Sequence, residues 1–195
     1  IFHCWERVEK IISLVGVGVA TVFFCASSEI IQVFYGPGWE AAIPAFSILG
    51  VSVYCQMMGN PSGAFFQSLG RTDYMFRVGL INTAITLIGL AAGLAGGTIT
   101  TVACGIAVAY CLHMFALAWF LVRRGFGKGL GCMKAFLPEI TVGVVAAVVV
   151  TLSLGFFELP LLGAFFAKIG LVVVLLAVGY KATGQLGYLK ALIKR

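Results

Sequence analysis

Six long apolar runs divide this 195-residue chain, at approximately Ile11–Tyr35, Ala41–Leu69, Tyr74–Ala95, Thr98–Val122, Ala135–Phe156 and Leu159–Tyr180. Crossing a hydrocarbon core of about 30 Å as a helix takes roughly 20 predominantly apolar residues. Each run meets that length. Backbone amides find no water inside a bilayer, so spanning chain must be helical or part of a closed barrel. Barrel strands alternate apolar and polar positions over segments of about ten residues. These runs are apolar throughout, which predicts an all-α integral membrane protein with six transmembrane helices. A hydrophobic content of 61% with 10% charged residues excludes a water-soluble globule, in which about a quarter of residues are charged. The chain begins at Ile1 rather than Met and enters an apolar run ten residues later. It therefore reads as the tail of a longer protein.

The charges fall between the runs in a pattern. Arg7 and Lys10 precede the first, Arg71 and Arg77 bracket the turn between the second and third, and Arg123, Arg124, Lys128 and Lys134 fill the turn between the fourth and fifth. Lys181, Lys190, Lys194 and Arg195 follow the sixth. The alternate turns near Gly36–Glu40, Gly96–Gly97 and Phe157–Glu158 hold no Lys or Arg. Of the 13 basic residues only Lys168, inside the sixth run, departs from this pattern. Lys and Arg concentrate in cytoplasmic loops, so both ends of the chain are expected on the cytoplasmic side. The net charge of +6 is dispersed among topology-setting turns and forms no nucleic-acid patch. The tail Tyr188–Arg195 suits either a short interfacial helix on anionic membrane lipids or a frayed basic end.

Cys4, Cys25, Cys55, Cys104, Cys111 and Cys132 include no C-x-x-C pair, and His3 and His113 have no ligand-spaced partner. Neither a metal site nor a cofactor is expected. No nucleophile motif, phosphate loop or acidic metal cluster is present, so no catalytic residue is assigned. Small residues recur four apart at Gly16/Ala20, Gly89/Gly93, Gly93/Gly97, Gly105/Ala109, Gly143/Ala147 and Gly163/Ala167. That spacing lets helix backbones approach closely in lipid and predicts a packed bundle.

The second run is the irregular one. Gly59-Asn60-Pro61-Ser62-Gly63 predicts a bend or unwinding, because Pro61 lacks the N–H that an unbroken helix needs there. Such a break serves either close packing or a substrate site. Gln56, Asn60 and Gln67 flank it with amides that are costly against acyl chains. Arg71 and Arg77 could face a phosphate at the cytoplasmic mouth; snorkelling to headgroups is the alternative for Arg77. Asn82 and Thr86 share a helix face and extend a polar track or hydrogen-bond between helices. Lys168 lies near the limit of snorkelling and is a candidate cavity cation. Glu29 and Gln32 read as interfacial near the outer end of the first run. Glu139, after Pro138, reads as a helix-start residue complementing the dipole. The candidate substrate-binding set is therefore Gln56, Asn60, Gln67, Arg71, Arg77, Asn82 and Lys168.

Tyr35-Gly36-Pro37-Gly38-Trp39-Glu40-Ala41-Ala42-Ile43-Pro44, then Phe46-Ser47-Ile48-Leu49 and Phe66-Gln67-Ser68-Leu69-Gly70-Arg71-Thr72-Asp73, resemble the bacterial polysaccharide flippases. These are the O-antigen and exopolysaccharide exporters of lipopolysaccharide biosynthesis, within the multidrug/oligosaccharidyl-lipid/polysaccharide exporter superfamily. The likeness covers roughly residues 11–125 and is only hydropathic beyond. Where the family often has Lys before the Trp, this chain has Gly38. The resemblance implies two six-helix lobes around a cavity. Residues 1–125 would be the last four helices of the second lobe, and 126–195 two additional helices with a basic cytoplasmic tail. The N-terminal lobe of the same protein would precede this chain. It further implies a bacterial inner-membrane location and alternating-access translocation of a polyprenyl-pyrophosphate-linked saccharide. No family site residue carries over by motif.

Two other functions fit the same architecture: a drug/cation antiporter of the superfamily, favoured by an acidic cavity, and a membrane-embedded polymerase or glycosyltransferase subunit, which would need a large outer loop. The charge pattern yields a direct test of topology. Single cysteines placed near Gly38, Gly97 and Phe157 should react with an impermeant thiol reagent from the periplasm; reaction only from the cytoplasm would reverse the orientation.

Overall fold

The computed structural model describes residues 1–154, 160–185 and 187. Every regular element among them is helical: α1 Phe2–Cys25, α2 Ser27–Tyr35, α3 Ile43–Gly59, α4 Ser62–Ser68, α5 Thr72–Ala95, α6 Ile99–Ala118, α7 Leu137–Leu154 and α8 Leu161–Ala182. They make up six helices long and apolar enough to cross a membrane, over Phe2–Cys25, Glu40–Ser68, Thr72–Ala95, Ile99–Gly125, Met133–Ser153 and Leu161–Ala182. The outer turn expected at Phe157–Glu158 and the tail Tyr188–Arg195 lie outside the described residues.

The first run differs from expectation at both ends. Its helix begins at Phe2, not near Ile11, so Arg7 and Lys10 sit on helix α1 rather than in a preceding loop. It also divides at Ala26, whose φ of −107° and ψ of 18° leave the helical region. There the Ser27 hydroxyl donates to the Phe24 carbonyl at 3.2 Å, the backbone competition by which serine bends helices.

The second run is interrupted at Asn60–Pro61, between α3 and α4. With no N–H on Pro61, the Met57 carbonyl accepts from Asn60 N at 3.2 Å instead, and the Ser62 hydroxyl donates to the Gly59 carbonyl at 2.6 Å. Asn60 and Pro61 keep right-handed helical dihedrals, so the break is confined to the hydrogen-bond ladder around the proline. After α4 the chain reverses through Gly70 at φ 65°, where Arg71 N donates to the Phe66 carbonyl at 2.9 Å. The left-handed conformation there suits glycine, which has no Cβ to clash. The next turn is closed by a reciprocal cap: Thr98 Oγ1 accepts from Thr101 N at 3.1 Å, and Thr101 Oγ1 accepts from Thr98 N at 3.3 Å.

Helix α1 is the most enclosed span, with 44% of its apolar window buried against 11% for α5 and for α8. It packs on α3 on one side and on the α7–α8 hairpin on the other; α3 packs on α6, and α6 on α5. Leu14, Val17, Ala146, Val150, Val172 and Leu176 form the core between α1, α7 and α8. A second core gathers Trp5, Phe66, Val78, Leu117, Leu121 and Val122. It draws the start of α1, the α4–α5 turn and the end of α6 to one end of the bundle. Arg71 stacks over Tyr74, Arg123 over Trp119 and Lys128 over Phe2 at 5.1, 5.2 and 5.5 Å, so the basic residues of these turns share that end.

Most of the small-residue pairs contact neighbouring helices. A Cβ added to Gly89 of α5 would lie 2.5 Å from the Gly105 carbonyl oxygen of α6, and one on Gly93 would lie 2.5 Å from Val102 Cα. Gly143 meets Val17 and Thr21 of α1, and Gly16 meets Tyr54 of α3. Gly163 meets only Pro160 at the start of its own helix. Lipid offers no hydrophobic drive to helix association, so close contact of this kind supplies it. Gly89→Val should therefore lower thermal stability in detergent by about 1–3 kcal/mol, the range for overpacking. Gly170→Val, where nothing lies within 4 Å, should change it little.

Candidate functional site

The seven residues of the candidate substrate set do not converge on one cavity. Asn60, Gln67, Arg71 and Arg77 are exposed, and Gln56 and Asn82 are half-buried. The two half-buried amides are engaged within their own helices: Gln56 Nε2 donates to Ser52 Oγ at 3.3 Å, and Asn82 Oδ1 accepts from Thr86 Oγ1 at 3.4 Å. Arg71 and Arg77 form no ion pair among the described residues. Among the described residues, apolar grooves run along the helices. One of about 470 Å³ lies between α5 and α6 over Gly89, Gly93 and Gly105, and one of about 310 Å³ lies between α1 and α8. None of the seven residues lines either groove.

Lys168 is not a free cavity cation. Its ammonium donates to Glu29 Oε1 at 2.6 Å, joining α8 to α2. Glu29, expected at the interface, is 8% exposed and also accepts from Ser28 Oγ at 2.8 Å. A carboxylate and an ammonium in apolar surroundings are each costly alone, and pairing removes most of that cost.

A second pair forms near the other end of the hairpin. Lys10 of α1 pairs with Glu139 of α7, whose side chain is wholly buried. The Lys10 ammonium also donates to the Ala135 carbonyl at 2.5 Å and lies 5.8 Å from the centre of the Phe136 ring. Glu139 keeps its expected place in the first turn of α7, where a negative charge complements the helix dipole. The pairing with Lys10 is an addition that only the fold reveals.

Around this pair α1 presents a polar stripe to its neighbours. Trp5 Nε1 donates to Glu9 Oε1 at 3.0 Å, and Ser13 Oγ shares a hydrogen bond of 3.1 Å with the Tyr54 hydroxyl of α3. The Tyr180 hydroxyl of α8 donates to the Leu14 carbonyl at 3.0 Å. Trp5, Glu9, Ser13 and Tyr180 are all buried. The sequence reading missed this cluster because it began the first run at Ile11, after Lys10. The signal was the four-residue spacing of Trp5, Glu9, Ser13, Val17 and Thr21, which puts one buried face across that boundary without a break.

Comparison of the chain with protein-family models, curated proteins and solved structures returns no match.

Removing one partner of a buried pair leaves the other uncompensated, whereas replacing both with apolar groups is often neutral. Lys10→Met is expected to destabilise the protein by about 3–5 kcal/mol, and Lys10→Met with Glu139→Leu to recover most of that loss. Thermal unfolding of the detergent-solubilised protein measures both.

Proposed function

We propose that this chain is the C-terminal part of a bacterial inner-membrane flippase that moves polyprenyl-pyrophosphate-linked saccharides by alternating access. Residues 1–125 belong to its second lobe, residues 126–195 are two additional helices, and both ends are cytoplasmic. The reading rests on the resemblance carried by Tyr35–Pro44 and Phe66–Asp73, together with six helices of spanning length. The observation that favours it most is the contrast among the cations. Lys10 and Lys168 are committed to carboxylates inside the bundle, while Arg71 and Arg77 stay exposed and unpaired among the described residues, just past the interrupted second span.

A pyrophosphate carries charge that must leave water on its way across the membrane, and an isolated anion in low dielectric is prohibitively costly. Exposed cations at the entrance lower that cost. Arginine can grip a phosphate with two parallel hydrogen bonds, whereas lysine acts as a point charge. In this scheme Arg71 and Arg77 receive the headgroup, and Gln56, Asn60, Gln67 and Asn82 supply amides along the path when the complete transporter is assembled.

Complementation of a strain lacking the transporter tests the proposal with the full-length protein. Arg77→Ala should reduce surface polysaccharide more than Arg77→Lys at equal protein level, and Arg123→Ala should have little effect. Normal export by the Arg71→Ala, Arg77→Ala double variant would reject the assignment of these arginines.

A further inference from the structure

Glu9 differs from the two acidic side chains that are paired within the bundle. It is 1% exposed, Oε1 accepts from Trp5 Nε1, and Oε2 has no partner. No Lys, Arg or His among the described residues forms an ion pair with it. Lys10 follows it in sequence but points about 100° away around the helix and is bound to Glu139 and the Ala135 carbonyl. Arg7, on the same helix, is exposed.

Among the described residues, the helices packed on α1 place no cation in an ion pair with Glu9. From α3 the group within electrostatic reach is Tyr54, whose hydroxyl is engaged with Ser13. On α7 the acidic group of the first turn, Glu139, is paired with Lys10, and on α8 the Tyr180 hydroxyl donates to the Leu14 carbonyl. The acidic residue of α2, Glu29, is paired with Lys168.

A carboxylate without a cation in such surroundings is costly enough to be neutralised. The structure assigns Glu9 as a proton-binding carboxyl, with the proton on Oε2, the oxygen that has no partner. Binding forms one O–H bond between the carboxylate and a proton from water and breaks no bond in the protein. Release of the proton leaves an enclosed carboxylate with no ion-pair partner among the described residues. The inference does not rest on the transport reading.

Infrared spectroscopy of the full-length protein in liposomes at neutral pH tests it without any transport assay. A carboxylic-acid carbonyl band should be present, should vanish in Glu9→Gln and should persist in Glu29→Gln. Trp5→Phe removes the donor to Oε1 and should move the band to higher frequency without abolishing it, which decides the matter if Glu9→Gln fails to fold. An acid band unchanged by Glu9→Gln, or unmoved by Trp5→Phe, would overturn the assignment. So would the absence of an acid band together with a sodium-dependent change in the carboxylate bands.

Discussion

Two ammonium–carboxylate pairs fix the α7–α8 hairpin to the rest of the bundle. Lys10 holds Glu139 near the start of α7, and Lys168 holds Glu29 where α8 passes α2. Each pair takes one partner from the hairpin and one from α1 or α2, and the two have opposite polarity. In lipid, where packing of apolar side chains carries little preference for one partner over another, such pairs can specify which helices meet. The hairpin therefore sits on α1 and α2, and α5 and α6 pack on the opposite side of the bundle, beyond α3.

The other contacts follow from that arrangement. With α7 and α8 on one flank and α3 on the other, α1 is enclosed, and its stripe from Trp5 to Thr21 has to be satisfied from within. Trp5 does this within α1, Tyr54 from α3 and Tyr180 from α8, each by a hydrogen bond. Glycines set the spacing: Gly143 admits Val17 and Thr21, and Gly16 admits the Tyr54 ring. On the far flank Gly89, Gly93 and Gly105 bring α5 and α6 into backbone contact. The groove beside that contact is apolar because the residues that line it, such as Ile85, Ile88, Val108 and Leu112, are apolar on both helices.

Charge thus has three separate uses in one small bundle. Lys10 and Lys168 are structural, each matched to a buried carboxylate. Arg71, Arg123 and Lys128 lie over aromatic rings at one end, as cationic groups do near a membrane surface. Glu9 has no matching cation among the described residues. The division bears on the proposed function, because only exposed cations are free to meet an anionic headgroup.

Six spanning helices, the break at Pro61 and the role of small residues were legible in the sequence because each follows from local chemistry. Apolar length, a missing N–H and the absence of a Cβ act through the chain's immediate geometry. The polar spacing of α1 was also present, but Arg7 and Lys10 were read as preceding a run that began at Ile11. That misplacement hid the most buried acidic group of the first helix. The pairing of Lys10 with Glu139 and of Lys168 with Glu29 links positions more than a hundred residues apart. Only the packing of α7 and α8 on α1 and α2 could decide it, because an ion pair depends on which side chains share a low-dielectric space and not on their order in the chain.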